Sequence, residues 1–186
     1  MTKYLKYIIP IGLVLALIMS IVGPYNSLTN KHENVNQAQA KIDTQLQRRA
    51  DLIPNVVAVT QKYMSHEKKI FTQIAEARSK IGSNNKTEKN QGEQELSSAI
   101  SRLLVLTENY PTLKADTQAT NLITELEGTE NRIATARIDY NKVATEYNKS
   151  IRRFPTNITA KLFDFEKVEL TKADESAKKA PKVNFN

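Results

Sequence analysis

Leu126, Ile133, Tyr140, Tyr147 and Phe154 recur every seven residues, and Leu122, Thr129, Ala136 and Val143 run beside them. Such a repeat puts both series on one side of an α-helix, a coiled-coil-like seam that a neighbouring helix must cover. The candidate neighbours carry matching stripes. Leu28, Val35, Ile42 and Arg49 share the heptad period, with Ala38 and Leu46 in the same stripe. Ile53, Val56, Thr60, Met64, Ile70, Ile74, Ala77 and Ile81 follow at three-and-four spacing, then Leu96, Ala99, Ile100, Leu103 and Thr107. Five Gly and six Pro among 186 residues leave little material for a turn-rich β fold. The predicted fold is all-α, an N-terminal transmembrane helix continuous with a long antiparallel four-helix bundle of up-and-down topology.

Punctuation sets the expected boundaries. Asp51 is placed to cap a second helix and Pro54 to sit in its first turn, where a missing N–H costs little. That makes residues 42–57 a corner, with Arg48 and Arg49 in the last turn of the first helix facing its negative pole. The turn formers Gly82-Ser83-Asn84-Asn85 end the second helix, residues 86–92 read as a loop, and a third helix starts at Glu93. Tyr110-Pro111 ends the third helix and Phe154-Pro155 the fourth. Leu162, Phe163 and Phe165 then pack under the bundle end in preference to lipid headgroups. The expected division is an anchor over 1–25, a helical bundle over 26–165 and a charged tail over 166–186, flexible unless a partner orders it.

Residues 7–30 contain no charged side chain. The anchor rests on Ile8, Ile11, Leu13, Val14, Leu15, Leu17, Ile18, Ile21 and Val22. Tyr7 and Tyr25 lie about 27 Å apart along a helix, matching the hydrocarbon core and placing both rings at its interfaces. Lys3 and Lys6 ahead of the apolar run also suit a cleaved signal peptide, but no small-x-small cleavage site follows and Pro24 crowds the place for one. The basic N-terminal flank favours a cytoplasmic N-terminus, a single pass through the bacterial inner membrane and an extracytoplasmic body.

The net charge of +7 is spread among interleaved acids and bases, which describes a solvated helical surface better than a nucleic-acid site. Catalytic patterns are missing. There is no Cys, and His32 and His66 are the only histidines. His66-Glu67-Lys68-Lys69-Ile70 has Ile70 where a helical zinc protease needs its second histidine, and neither histidine follows a Glu at the three-residue spacing of di-iron bundles. No Gly-rich phosphate loop or nucleophile elbow occurs. The expectation is no enzyme, no cofactor and no metal. Glu67, Arg78, Arg102, Glu108, Glu130, Arg132 and Arg137 lie near apolar stripes, where pairing across helix seams is favoured over a binding groove.

The corner resembles the signature of the LemA family, bacterial membrane-anchored helical proteins, through Asp43, Arg48, Arg49, Asp51, Pro54 and Asn55. The resemblance continues through His66-Glu67, Arg78, Tyr110-Pro111, Glu130, Arg137, Tyr140-Asn141, Tyr147-Asn148 and Phe154-Pro155, and covers roughly residues 20 to 165. The chain departs from the family in having Ala40 where a Trp is usual, and in residues 116–120, where an Asn-Phe pair is usual. The resemblance implies a membrane-associated helical bundle and no activity. Together with the residue-level reading it leads to a membrane-associated scaffold that touches lipid and assembles with copies of itself. An alternative is an adaptor for another membrane or envelope protein, a protease, transporter or stress system, working through residues 86–92 or the tail.

Overall fold

A computed structural model describes the backbone of residues 2–171 and the side chains of residues 19–171. Among the described residues every regular element is helical: α1 (Thr2–Tyr63), α2 (Lys68–Ile81), α3 (Lys86–Thr107), α4 (Pro111–Ala115), α5 (Thr117–Ser150) and α6 (Thr156–Leu162). The chain forms two compact units, one of residues 1–42 and 135–171 and the other including residues 43–134. Among the described residues no helix is long and apolar enough to cross a membrane. The side chains of Tyr7, Ile8, Ile11, Leu13, Val14, Leu15, Leu17 and Ile18 lie outside the described residues.

In the unit containing residues 43–134, four helical stretches share one core. Ile53 and Val56 of α1, Ile70 and Ile74 of α2, Ile100 and Leu103 of α3, and Leu126 of α5 are all buried in it. Each such side chain contributes roughly 1.5–3 kcal/mol by leaving water. The expected corner at residues 42–57 is absent, because α1 passes through it without a break. The buried series Ile42, Arg49, Ile53, Val56 and Thr60 keeps its spacing across Pro54, so the proline ring falls on the exposed face. The carbonyl of Ala50, which Pro54 leaves without a donor, is there within reach of water. Asp51 accepts from Gln47 Nε2 at 2.9 Å instead of capping a new helix. Arg48 and Arg49 consequently lie inside a helix and not in its last turn.

The actual break comes at residues 64–67, where Met64 N–H donates to Thr60 O and Glu67 N–H to Met64 O. The turn at Gly82-Ser83-Asn84-Asn85 is where the spacing puts it. Residues 86–92 form no loop, because Asn85 caps α3 by accepting from the N–H groups of Thr87 and Glu88 at 2.9 and 3.4 Å. Gly92 is a contact residue: a Cβ there would lie 2.8 Å from Ala77 O, so α2 and α3 approach too closely for any side chain. Asp116 starts α5, its Oδ1 accepting from Gln118 and Ala119 N–H at 2.9 and 3.1 Å.

In the unit of residues 1–42 and 135–171, α1 and α5 pair antiparallel. Leu28, Val35, Ala38 and Ile42 are buried on α1, and Ala136, Tyr140, Ala144 and Tyr147 on α5. Lys31 donates to Ser150, and the His32 ring lies 5.3 Å from that of Tyr147. The seam expected to reach Phe154 stops short of it. With α5 ending at Ser150, Phe154 falls in a turn and is exposed. After α6, Asp164 takes a positive φ of 53° and Phe165 N–H closes on Ala160 O at 2.9 Å, an αL helix stop made with Asp in place of the usual Gly. Residues 166–171, expected as the start of a free tail, are held along α5. The remainder, residues 172–186, lies outside the described residues.

Candidate functional site

Two polar clusters have the most organised geometry. The first, in the unit containing residues 43–134, centres on Arg49, whose side chain is only 1% exposed. Its guanidinium pairs with Glu93 and with Glu130 Oε1 at 3.3 Å, and donates to Ser97 Oγ at 2.8 Å. Ser97 Oγ in turn donates to Glu130 Oε2 at 3.1 Å. Three helices, α1, α3 and α5, are tied through one buried cation. Arginine suits the position because its rigid fork meets two carboxylates and a hydroxyl together. With these groups engaged on one another, the cluster presents no activated nucleophile, and its physical effect is on register: sliding any of the three helices would strand a buried charge.

The second cluster, in the unit of residues 1–42 and 135–171, is a ladder on α5. Asn141 Nδ2 donates to Thr171 O and Asn141 Oδ1 accepts from Thr171 N–H, both at 2.9 Å. One heptad on, Asn148 Nδ2 donates to Val168 O at 2.8 Å and its Oδ1 accepts from Val168 N–H at 3.0 Å. Each asparagine therefore copies the donor–acceptor pair of a neighbouring β-strand. The hydroxyls of Tyr140 and Tyr147 donate to Glu169 O and Glu166 O at 2.8 and 2.9 Å. These contacts fall on main-chain atoms, apart from the Thr171 hydroxyl, which donates to Asn141 Oδ1 at 3.0 Å. Burial, followed by the nearby Glu166 charge, raises the pKa of the Tyr147 hydroxyl and keeps it a donor.

Two tyrosine–carboxylate pairs lie in the unit containing residues 43–134. Tyr63 OH donates to Asp116 Oδ2 at 2.7 Å, which raises the pKa of Tyr63 and, with the Ala119 N–H next in weight, lowers that of Asp116. Tyr110 OH donates to Glu67 Oε1 at 3.1 Å, and desolvation is the larger cause of its raised pKa.

The residues singled out in the sequence scatter over these features. Arg49 and Glu130 meet, as do Glu67 and Tyr110, while Tyr140 and Asn141 belong to the ladder. Arg48 pairs with Glu125 at the surface. Asp43, Asp51, Pro54, Asn55, His66, Arg78, Pro111, Phe154 and Pro155 are exposed, and Arg137 is half-buried. Sequence reasoning missed Glu93, Ser97, Asp116 and, as a site residue, Asn148, although the second Tyr-Asn pair seven residues after the first was a usable signal. An open groove lined by Asn55, Ala58, Val59, Thr117, Gln118, Asn121 and Leu122 carries no titratable group. Among the described residues, no three His, Asp or Glu side chains are grouped to hold a metal ion.

The family model that matches, described as the LemA family, spans residues 38–185. Similar proteins include magnetosome protein MamQ 2 of Paramagnetospirillum magneticum, 27% identical over 84% of this chain and 67% of its own length. Magnetosome protein MamQ of Magnetospirillum gryphiswaldense is 25% identical with the same coverage. Protein LemA of Metamycoplasma hominis is 27% identical over 83% of this chain and 71% of its own length.

Proposed function

This chain belongs to the LemA family, and from that premise we propose a non-enzymatic, single-pass bacterial membrane protein that serves as a self-assembling helical scaffold. Residues 1–25 are its anchor in the inner membrane, with the N-terminus in the cytoplasm and the body outside. The observation that carries the reading is α1, one helix from Thr2 to Tyr63, which joins the uncharged stretch of residues 7–30 to both compact units. α1 continues from the anchor into the body, so copies whose anchors share a membrane plane carry their bodies on the same side of it. That arrangement favours side-by-side cyclic packing. The internal engagement of Arg49, Glu93 and Glu130 supports a structural role for the polar clusters.

The test is the native mass of the full chain extracted in its own lipid, beside residues 26–186 alone. A discrete assembly that needs the anchor is expected. A monomer in both forms would overturn the scaffold.

The Tyr–Asn ladder favours a second reading, an adaptor for another membrane or envelope protein, because it shows an extended main chain seated on α5. Deleting residues 172–186, which leaves the ladder of residues 166–171 in place, separates the two: an adaptor working through the tail loses its partner while self-assembly continues.

A further inference from the structure

The segment that closes the unit of residues 1–42 and 135–171 is apolar where it meets solvent. Phe154 is 75% exposed, Ile158 58%, Leu162 63% and Phe163 47%. Ile158 and Leu162 are four residues apart on α6, so they share one face of it. The same stretch is strongly basic: Lys149, Arg152, Arg153 and Lys161 are exposed, and no acidic residue occurs from Tyr147 to Phe163. A soluble surface gains nothing from exposing four large apolar groups among four cations, whereas an anionic bilayer surface satisfies both.

Position supports that occupant. The Phe163 ring lies 4.7 Å from that of Tyr25, and Phe165 lies 5.8 Å from Tyr25 on the other contact. Tyr25 ends the apolar stretch that begins at Tyr7, and α1 runs through both without interruption. The end of α6 therefore sits beside the residue at which the chain would leave the bilayer. The sequence predicts burial of Leu162 and Phe163 under the bundle end. Leu162 is instead open to solvent, and Phe163 is covered only in part.

We propose that α6 and its flanks, residues 149–163, are a membrane-surface collar that lays Ile158, Leu162 and Phe163 into the headgroup boundary of an anionic bilayer, with the four cations among the lipid phosphates. This rests on the anchor reading for its placement, and the test separates the two. The chain has no Trp, so single tryptophans report position without background. The full chain carrying Leu162→Trp, Ile158→Trp, Leu15→Trp or Ile138→Trp is reconstituted into vesicles of phosphatidylcholine and phosphatidylglycerol with brominated acyl chains.

The collar predicts a blue shift and a roughly twofold loss of emission for Leu162→Trp when bromine sits in the upper acyl chain, the depth reached by interfacial helices. Ile158→Trp should behave alike, so a local packing fault in one variant does not decide the outcome. Ile138→Trp, exposed on α5, should remain unquenched. Vesicles of phosphatidylcholine alone should quench the collar reporters less, and equal quenching in both would overturn the anionic preference. Quenching of Leu15→Trp by deep bromine, with both collar reporters dark to bromine, overturns the collar and keeps the anchor. Quenched collar reporters with Leu15→Trp unquenched support the collar and overturn the anchor. A collar tryptophan already shifted without vesicles and insensitive to bromine would assign the face to another protein surface and overturn the proposal.

Discussion

Replacing Arg49 by Met removes one cation from a cluster that buries it almost completely. Glu93 and Glu130 are only 13% and 18% exposed, and both lose the charge that offsets their desolvation. Methionine fills most of the arginine's stem volume, so the loss comes from two carboxylates left without their cation, not from a cavity. Breaking a buried pair by removing one partner costs about 3–5 kcal/mol. Folded domains hold roughly 5–15 kcal/mol in total, so the variant should lie near the edge of stability. Urea unfolding of the detergent-solubilised chain, followed by helical circular dichroism at neutral pH, measures it. The triple variant R49M/E93Q/E130Q decides the cause, because it removes the charges together and should recover at least half of the loss. A single variant destabilised by less than about 1 kcal/mol, the range of exposed ion pairs, would refute the reasoning, as would a triple variant no better than the single one.

Gly92→Ala should cost about 1–3 kcal/mol, because the added methyl meets the Ala77 carbonyl and the Ile81 nitrogen, backbone atoms that move only if α2 and α3 separate; thermal unfolding checks it, with Gly82→Ala, which meets nothing closer than 3.4 Å, as the comparison. Asn148→Asp replaces the donor to Val168 O by a carboxylate oxygen, so hydrogen exchange at Val168 and Thr171 should accelerate at least about tenfold, the equivalent of one lost hydrogen bond of roughly 1.4 kcal/mol, while the core of α3 stays protected. Asp116 has a folded pKa below its ordinary value because of the Tyr63 hydroxyl and the α5 N–H groups. Its contribution is therefore present above the unfolded carboxylate pKa and lost as pH falls through the folded one, and Asp116→Asn should flatten that acid limb in urea midpoints. Tyr147 has the opposite sign. Its raised pKa makes its contribution complete below the unfolded tyrosine pKa and lost as pH rises through the folded value, a limb that Tyr147→Phe should remove.

The apolar stripes were legible because burial at three-and-four spacing is written in the side chains themselves. Leu28, Val35, Ile42 and Leu126, Ile133, Tyr140 all fall where that spacing puts them. Helix ends were less legible, for a physical reason that differs at each. Pro54 is a strong breaker in a buried turn, but on a wet face water replaces the lost donor and the helix continues. The break at residues 64–67 leaves no trace, since Thr60, Met64 and Ile70 hold the stripe on either side of it. Gly92 looked like loop glycine because a close helix approach and a turn both call for the same missing side chain. The ladder was half visible: Tyr140-Asn141 and Tyr147-Asn148 repeat, but their partners are main-chain atoms of residues 166–171, whose charged sequence gives no sign of being held. Arg49 was visible as a polar residue in an apolar stripe, whereas its partner Glu93 stood at the edge of a supposed loop.

The anchor proposed for residues 1–25 requires the chain to cross a membrane once, with α1 carrying the body on one side. Because the sequence has no Cys, single cysteines at Lys3 and Asn36 can be read against no background with a membrane-impermeant maleimide in intact cells and in inverted membrane vesicles. With the body outside, Asn36→Cys is labelled in cells and protected in the vesicles, and Lys3→Cys shows the reverse. Labelling of both cysteines from the same side would contradict it.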